Sequence, residues 1–157
     1  MADVVDLAQL LGKIQGFTPL RRVLLATAGT LQGTLSAYFG APVTIEVVSQ
    51  RVDGAAVHRR VNLVCKERRL VACQADAVVH VEDPRMRELI IERSIGLGQI
   101  AALLGVRTSF ELDHVGEDES SFWRHYRLWG DGFEYRITET FDQHLYTNGY
   151  QPEPPRG

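Results

Sequence analysis

Two charged residues stand on strand faces that are otherwise apolar. From Phe133 to Phe141, the residues Phe133, Tyr135, Ile137, Glu139 and Phe141 alternate with Glu134, Arg136, Thr138 and Thr140. A period of two puts each set on its own face of a β-strand. Glu139 therefore shares a face with apolar and aromatic side chains, where a carboxylate is costly to keep ionised unless it has a partner. It is the buried half of a salt bridge, a strand-end group reaching solvent, or a group aimed at a ligand. The segment Val57 to Cys65 repeats the pattern with the opposite sign: Val57, Arg59, Val61, Leu63 and Cys65 lie on one face, and His58, Arg60, Asn62 and Val64 on the other. If both strands belong to one curved sheet, Arg59 and Glu139 face the same interior, where they bind each other or a ligand. A guanidinium presents a planar fork of donors suited to a carboxylate. The chemistry in view is recognition of an organic acid, set against an internal Arg59–Glu139 ion pair.

The rest of the chain must supply the sheet and a cover for it. Val4, Leu7, Ala8, Leu11 and Ile14 recur at helical spacing before Gly16, which predicts a helix over residues 3–14. Thr18-Pro19 opens a second helix to about Thr27, and Thr30 caps a third carrying Leu31, Leu35, Tyr38 and Phe39 that ends at Gly40 and Pro42. β-Branched residues then dominate Val43 to Val52 and Val57 to Cys65, and Leu70 to Val81 returns as the second arm of a hairpin. Asp83-Pro84 starts a helix to about Glu92, and a short helix from Leu97 to Leu104 ends at Gly105. Three more strands follow: Arg107 to Val115, Phe122 to Trp129 and Phe133 to Phe141, the last two joined through Gly130-Asp131-Gly132. Helices flanking runs of hairpin-connected strands predict an α+β domain, a single six-stranded, largely antiparallel sheet with helices on one face. The whole of residues 1–157 forms one domain, with a mobile tail from about residue 150.

Composition narrows the function. Seventeen Lys and Arg against twenty Asp and Glu give a net charge of −3, so no global positive field draws in nucleic acid or an anionic membrane. No apolar run approaches the ~20 residues that span a bilayer, and the first residues lack a secretion signal, so a cytoplasmic location is expected. The expected partner is a small anionic cyclic acid bound by a monomer or homodimer. Cys65 and Cys73 read as buried small residues, and the five histidines show no metal-ligand spacing. Gly96-Leu-Gly-Gln-Ile-Ala is not a dinucleotide fingerprint, because it lacks the third glycine and does not follow a strand. Phe122-Trp-Arg-His-Tyr-Arg-Leu-Trp129 interleaves basic and aromatic residues, which on a strand reads as a half-buried ladder rather than a single-strand nucleic-acid platform.

Several of these pieces occur together in one family. Ile137-Thr-Glu-Thr-Phe-Asp-Gln-His-Leu-Tyr146, preceded in order by Leu24-Leu25, Gly29-Thr30-Leu31, Arg59-x-Val61-x-Leu63 and Gly96-Leu97-Gly98, resembles the chorismate pyruvate-lyases, including their compact actinobacterial, archaeal and cyanobacterial branch. The resemblance spans about Arg21 to Tyr146. It implies a lyase that removes pyruvate from chorismate to leave 4-hydroxybenzoate, with no cofactor and no metal. It further implies that Arg59 holds the ring carboxylate, together with the backbone at Leu97 in the Leu97-Gly98 segment. Glu139 meets the ring hydroxyl as the catalytic residue, and Leu31 sits in a helical flap over the pocket. A shifted alignment selects Arg60 instead, but Arg59 shares strand parity with Val61 and Leu63. Gly96 and Gln74 depart from the family pattern, which leaves room for another cofactor-free reaction on the same scaffold, such as a cyclisation. A non-catalytic effector-binding module, like the ligand domains of bacterial transcription regulators, is the remaining alternative. The absence of a helix-turn-helix segment counts against it.

Overall fold

A computed structural model of the chain describes residues 2–29, 31–92 and 97–147. The expectations placed on Thr30, on Gly96 and on the tail from about residue 150 lie outside the described residues. Within them the sheet is built from six long strands: β2 (Thr44–Asp53), β3 (Ala56–Cys65), β4 (Leu70–Val81), β5 (Thr108–Glu117), β6 (Ser121–Gly130) and β7 (Phe133–Asp142), all paired antiparallel. A seventh, β1 (Ala2–Val4), adds to one edge in parallel with β5. The spatial order β1-β5-β6-β7-β4-β3-β2 is two meanders, β2-β3-β4 and β5-β6-β7, joined where β4 pairs with β7. This is the α+β architecture expected from the sequence.

The strands form where alternation and turn chemistry agree. Along β7 every second residue from Phe133 to Phe141 is buried and the residues between are not. Gly132, with φ of 79°, makes the two-residue turn from β6 possible, since that backbone region favours glycine. One face of the sheet is consequently covered and the other carries the polar set. The covering layer consists of α1 (Leu7–Ile14), α2 (Pro19–Ala26), α3 (Leu31–Phe39), α4 (Pro84–Glu92) and α5 (Leu97–Leu103). No helix among the described residues is long and apolar enough to cross a membrane.

The N-terminus departs from expectation. The predicted helix over residues 3–14 is instead a strand, β1, and a shorter helix, α1, whose first turn is capped by the Asp6 carboxylate accepting from Gln9 N at 3.1 Å. An aspartate is a better cap than a helix-interior residue, and the open edge of β5 takes up the segment before it. The buried stripe of α1 is Leu10 and Ile14, whereas Leu7 and Leu11 are exposed. The helical period was readable there, but its phase was not.

Candidate functional site

The register of the central strands decides which side chains can meet. Arg59 on β3 lies opposite Ala77 on β4, and Glu139 on β7 lies opposite Ala75 on the other side of the same strand. Two strand spacings across and two residues along separate the backbones of the charged residues, about 12 Å. The inward β4 residues between them are Ala75 and Ala77, which carry only methyl groups. Larger residues on β4 would fill that space. As it is, the sheet keeps a depression floored by the two alanines with Val61, Leu63 and Ile137 around it.

The depression is closed from the helical side. Leu31 and Gln32 at the start of α3, and Leu97, Gly98 and Gln99 at the start of α5, line the resulting cavity with Gly29. A Cβ on Gly98 would stand 2.8 Å from the Gly29 carbonyl oxygen and 2.9 Å from its Cα, so the two segments touch backbone to backbone. Gly29 adopts φ of 80°, which a residue with a side chain rarely takes. The cavity holds about 90 Å³ of space for the centre of a water-sized sphere, against the ~10–15 Å³ one water needs on that measure. Its walls are mostly apolar.

Four polar or charged residues are buried among the described residues: Arg59, Thr108, Arg124 and Glu139, and all but Thr108 line this cavity. Arg59 is 4% exposed, Glu139 5% and Arg124 0%. Arg60, the neighbour that a shifted alignment selects, is exposed on the opposite face and pairs with Asp76 at 2.7 Å. Leu31, Leu97 and Gly98 all reach the same cavity as Arg59 and Glu139. Gln74 does not; it lies exposed on the other face of β4, away from the cavity.

Arg124 was not singled out in the sequence, yet it organises the site. Its Nε donates to Glu139 Oε1 at 2.6 Å, and its Nη1 donates to the carbonyl oxygens of Leu25 at 3.0 Å and Thr27 at 2.6 Å. The guanidinium also lies over the Tyr126 ring, 4.4 Å from its centroid. The partner of the Glu139 carboxylate is therefore the residue opposite it on β6, in direct register. The signal for this was in the segment read as a basic and aromatic ladder: Phe122, Arg124, Tyr126 and Leu128 share one parity, and all four are buried. The alternate set, Trp123, His125, Arg127 and Trp129, faces outward, with the Arg127 guanidinium 3.8 Å from the Trp129 ring centroid.

The electrostatics follow from this placement. Burial works most strongly against the charge on Arg124, but the Glu139 carboxylate, Tyr126 and Cys73 together hold the guanidinium above its ordinary pKa. Burial draws Arg59 below its ordinary value, opposed by the nearby Tyr135 phenol; an arginine remains protonated through such shifts. Burial, and then the Glu139 charge, push both the Tyr126 phenol and the Cys73 thiol well up, so neither ionises near neutrality. Cys73 and Cys65 are both buried free thiols. Among the described residues, two guanidinium groups and one carboxylate line the cavity. Such an arrangement can bind an anion bearing an apolar body and can orient a hydroxyl or ether oxygen at its far end.

No model of a known protein family matches this chain, and no curated protein sequence matches it either.

Proposed function

We propose that the chain is a cofactor-independent carbon–oxygen lyase of the chorismate pyruvate-lyase type, releasing pyruvate from chorismate and leaving 4-hydroxybenzoate. The observation that carries this reading is a mostly apolar, ring-sized cavity lined by the buried Arg59, Arg124 and Glu139, with Arg59 across two alanines from Glu139. The ring carboxylate is assigned to Arg59 and the ring hydroxyl to Glu139, with Leu31 and the Leu97-Gly98 segment covering the ring. In the reaction the bond from ring carbon to the enolpyruvyl oxygen breaks, and the neighbouring ring carbon gives up its proton. The ring becomes aromatic, and the released enolate gains a proton at its methylene carbon to become pyruvate. Aromatisation supplies the driving force. The protein's task is to hold the anion in a dry pocket with the breaking bonds aligned.

A second reading, binding without turnover, is favoured by the 2.6 Å contact that commits one Glu139 oxygen to Arg124. So engaged, the carboxylate is suited to orienting a hydroxyl rather than to shuttling a proton. Incubating the purified chain with chorismate, and following 4-hydroxybenzoate and pyruvate together, separates the readings. The lyase forms both in equal amounts. Saturable binding of chorismate with no pyruvate would replace the lyase with the binding module, and neither binding nor turnover would assign the cavity to another acid.

A further inference from the structure

Arg124 is placed to do more than hold Glu139. Its Nε and Nη1 are both committed, to Glu139 and to the Leu25 and Thr27 carbonyl oxygens. Its Nη2 is buried and has no hydrogen-bond partner among the described residues. In a guanidinium, the Nη2 amino group lies on the same edge as the Nε–H, so here it sits on the edge turned to Glu139. That carboxylate itself lines the cavity. A buried donor left unsatisfied is costly, and one beside a ligand cavity is satisfied most directly by the ligand.

We propose that Arg124 is a substrate-contacting residue of this site, its Nη2 donating to the enolpyruvyl oxygen as that oxygen departs. The inference rests on the lyase reading given above and adds the group that receives the developing charge. The geometry fits the substrate's connectivity, because the ring hydroxyl and the enolpyruvyl oxygen are on adjacent ring carbons, and Glu139 and Arg124, hydrogen-bonded to each other, both line the cavity. When the carbon–oxygen bond breaks, its electron pair stays on that oxygen. The fixed guanidinium stabilises it without losing a proton. The ring proton is released as the methylene carbon of the enolate takes one up, so the exchange balances. The bonds from Nη1 to Leu25 and Thr27 hold the guanidinium in place beforehand, as a preorganised donor must be.

The test uses Arg124→Lys, which keeps a cation beside Glu139 but loses the fork, with folding checked by circular dichroism. Removing one donor to a developing oxyanion lowers turnover by about 10²-fold or more. The product lacks the departing oxygen, so its affinity should change by less than about threefold, an interaction felt in the transition state alone. Turnover of Arg124→Lys within a factor of about two of the wild type overturns the proposal, as does a parallel loss of product affinity, which marks a residue that only supports the fold. If Arg124→Lys does not fold, the double variant Arg124→Met/Glu139→Gln, which removes both charges together, is compared with Glu139→Gln alone. A further drop of about tenfold supports the proposal and equal turnover overturns it. Wild-type protein that fails to turn over chorismate removes the functional reading, whereas active wild type with an equally active Arg124→Lys removes this inference alone.

Discussion

Arg59 and Arg60 are consecutive, yet strand parity sends one into the cavity and the other to an exposed pair with Asp76. The consequence is measurable. Losing a hydrogen bond from a buried charged donor costs about 1.5–3 kcal/mol, so Arg59→Ala should weaken 4-hydroxybenzoate binding by at least about tenfold in titration calorimetry. Arg60→Ala should leave that affinity unchanged, because an exposed ion pair contributes little. Glu139→Gln should lower turnover and also lower the melting temperature. It leaves the Arg124 guanidinium buried without its counter-charge, and breaking a buried pair from one side costs a few kcal/mol. Arg59 and Glu139 were legible in the sequence because each is the lone charge in an alternating apolar set. Arg124 obeys the same rule between Phe122 and Tyr126, but it lies in a segment that reads as a half-buried ladder, where the basic residues of the opposite face keep it from standing out. Which cation Glu139 pairs with could not be read at all, since that depends on β6 and not β3 being its neighbour in the sheet.

At the scale of elements, the cavity exists because β4 carries Ala75 and Ala77 at the two inward positions between Arg59 and Glu139. Ala77→Leu should fold, since the added side chain enters existing space, and should abolish 4-hydroxybenzoate binding while turnover falls with it. Retained affinity in Ala77→Leu would place the ligand elsewhere. The starts of α3 and α5 close over this floor through the contact of Gly98 with Gly29. A methyl at Gly98 cannot be accommodated against backbone atoms 2.8 and 2.9 Å away without moving one segment, so Gly98→Ala should loosen the cover and weaken binding with a small change in melting temperature. Two other local devices set the response to acid. The Asp83 carboxylate accepts from the backbone N–H of Arg85 at the start of α4, and Asp118 accepts from those of Ser120 and Ser121 in the turn between β5 and β6. These backbone hydrogen bonds hold both pKa values below the ordinary 3.8. Their stabilisation is therefore complete above that pH and is lost as pH falls through the lower folded-state values. Asp83→Asn with Asp118→Asn should flatten the acid limb of a melting-temperature profile below about pH 4, relative to wild type.

For the whole molecule, joining two meanders through β4 and β7 places β3, β4, β7 and β6 side by side at the centre of the sheet. The three charged groups come from β3, β6 and β7, so none of the two-stranded hairpins can form the site alone. The alternation, the caps and the turn residues made the strands and their inward faces readable. The pairing of β4 with β7 is not written in any local pattern, because it is set by how the two meanders bury their faces together under one layer of helices. The edge strand β1 escaped for a related reason: a three-residue segment is made a strand by the open edge of β5, not by its own sequence. The proposed function requires a ring-bearing acid to lie on the alanine floor between Arg59 and Arg124. The most direct check is an NMR titration of alanine-methyl-labelled protein with 4-hydroxybenzoate. The expected result is saturable shifts of the Ala75 and Ala77 methyl signals, with nuclear Overhauser contacts from both to the ring protons. Binding that leaves those two methyl signals unmoved, or no binding at all, would contradict it.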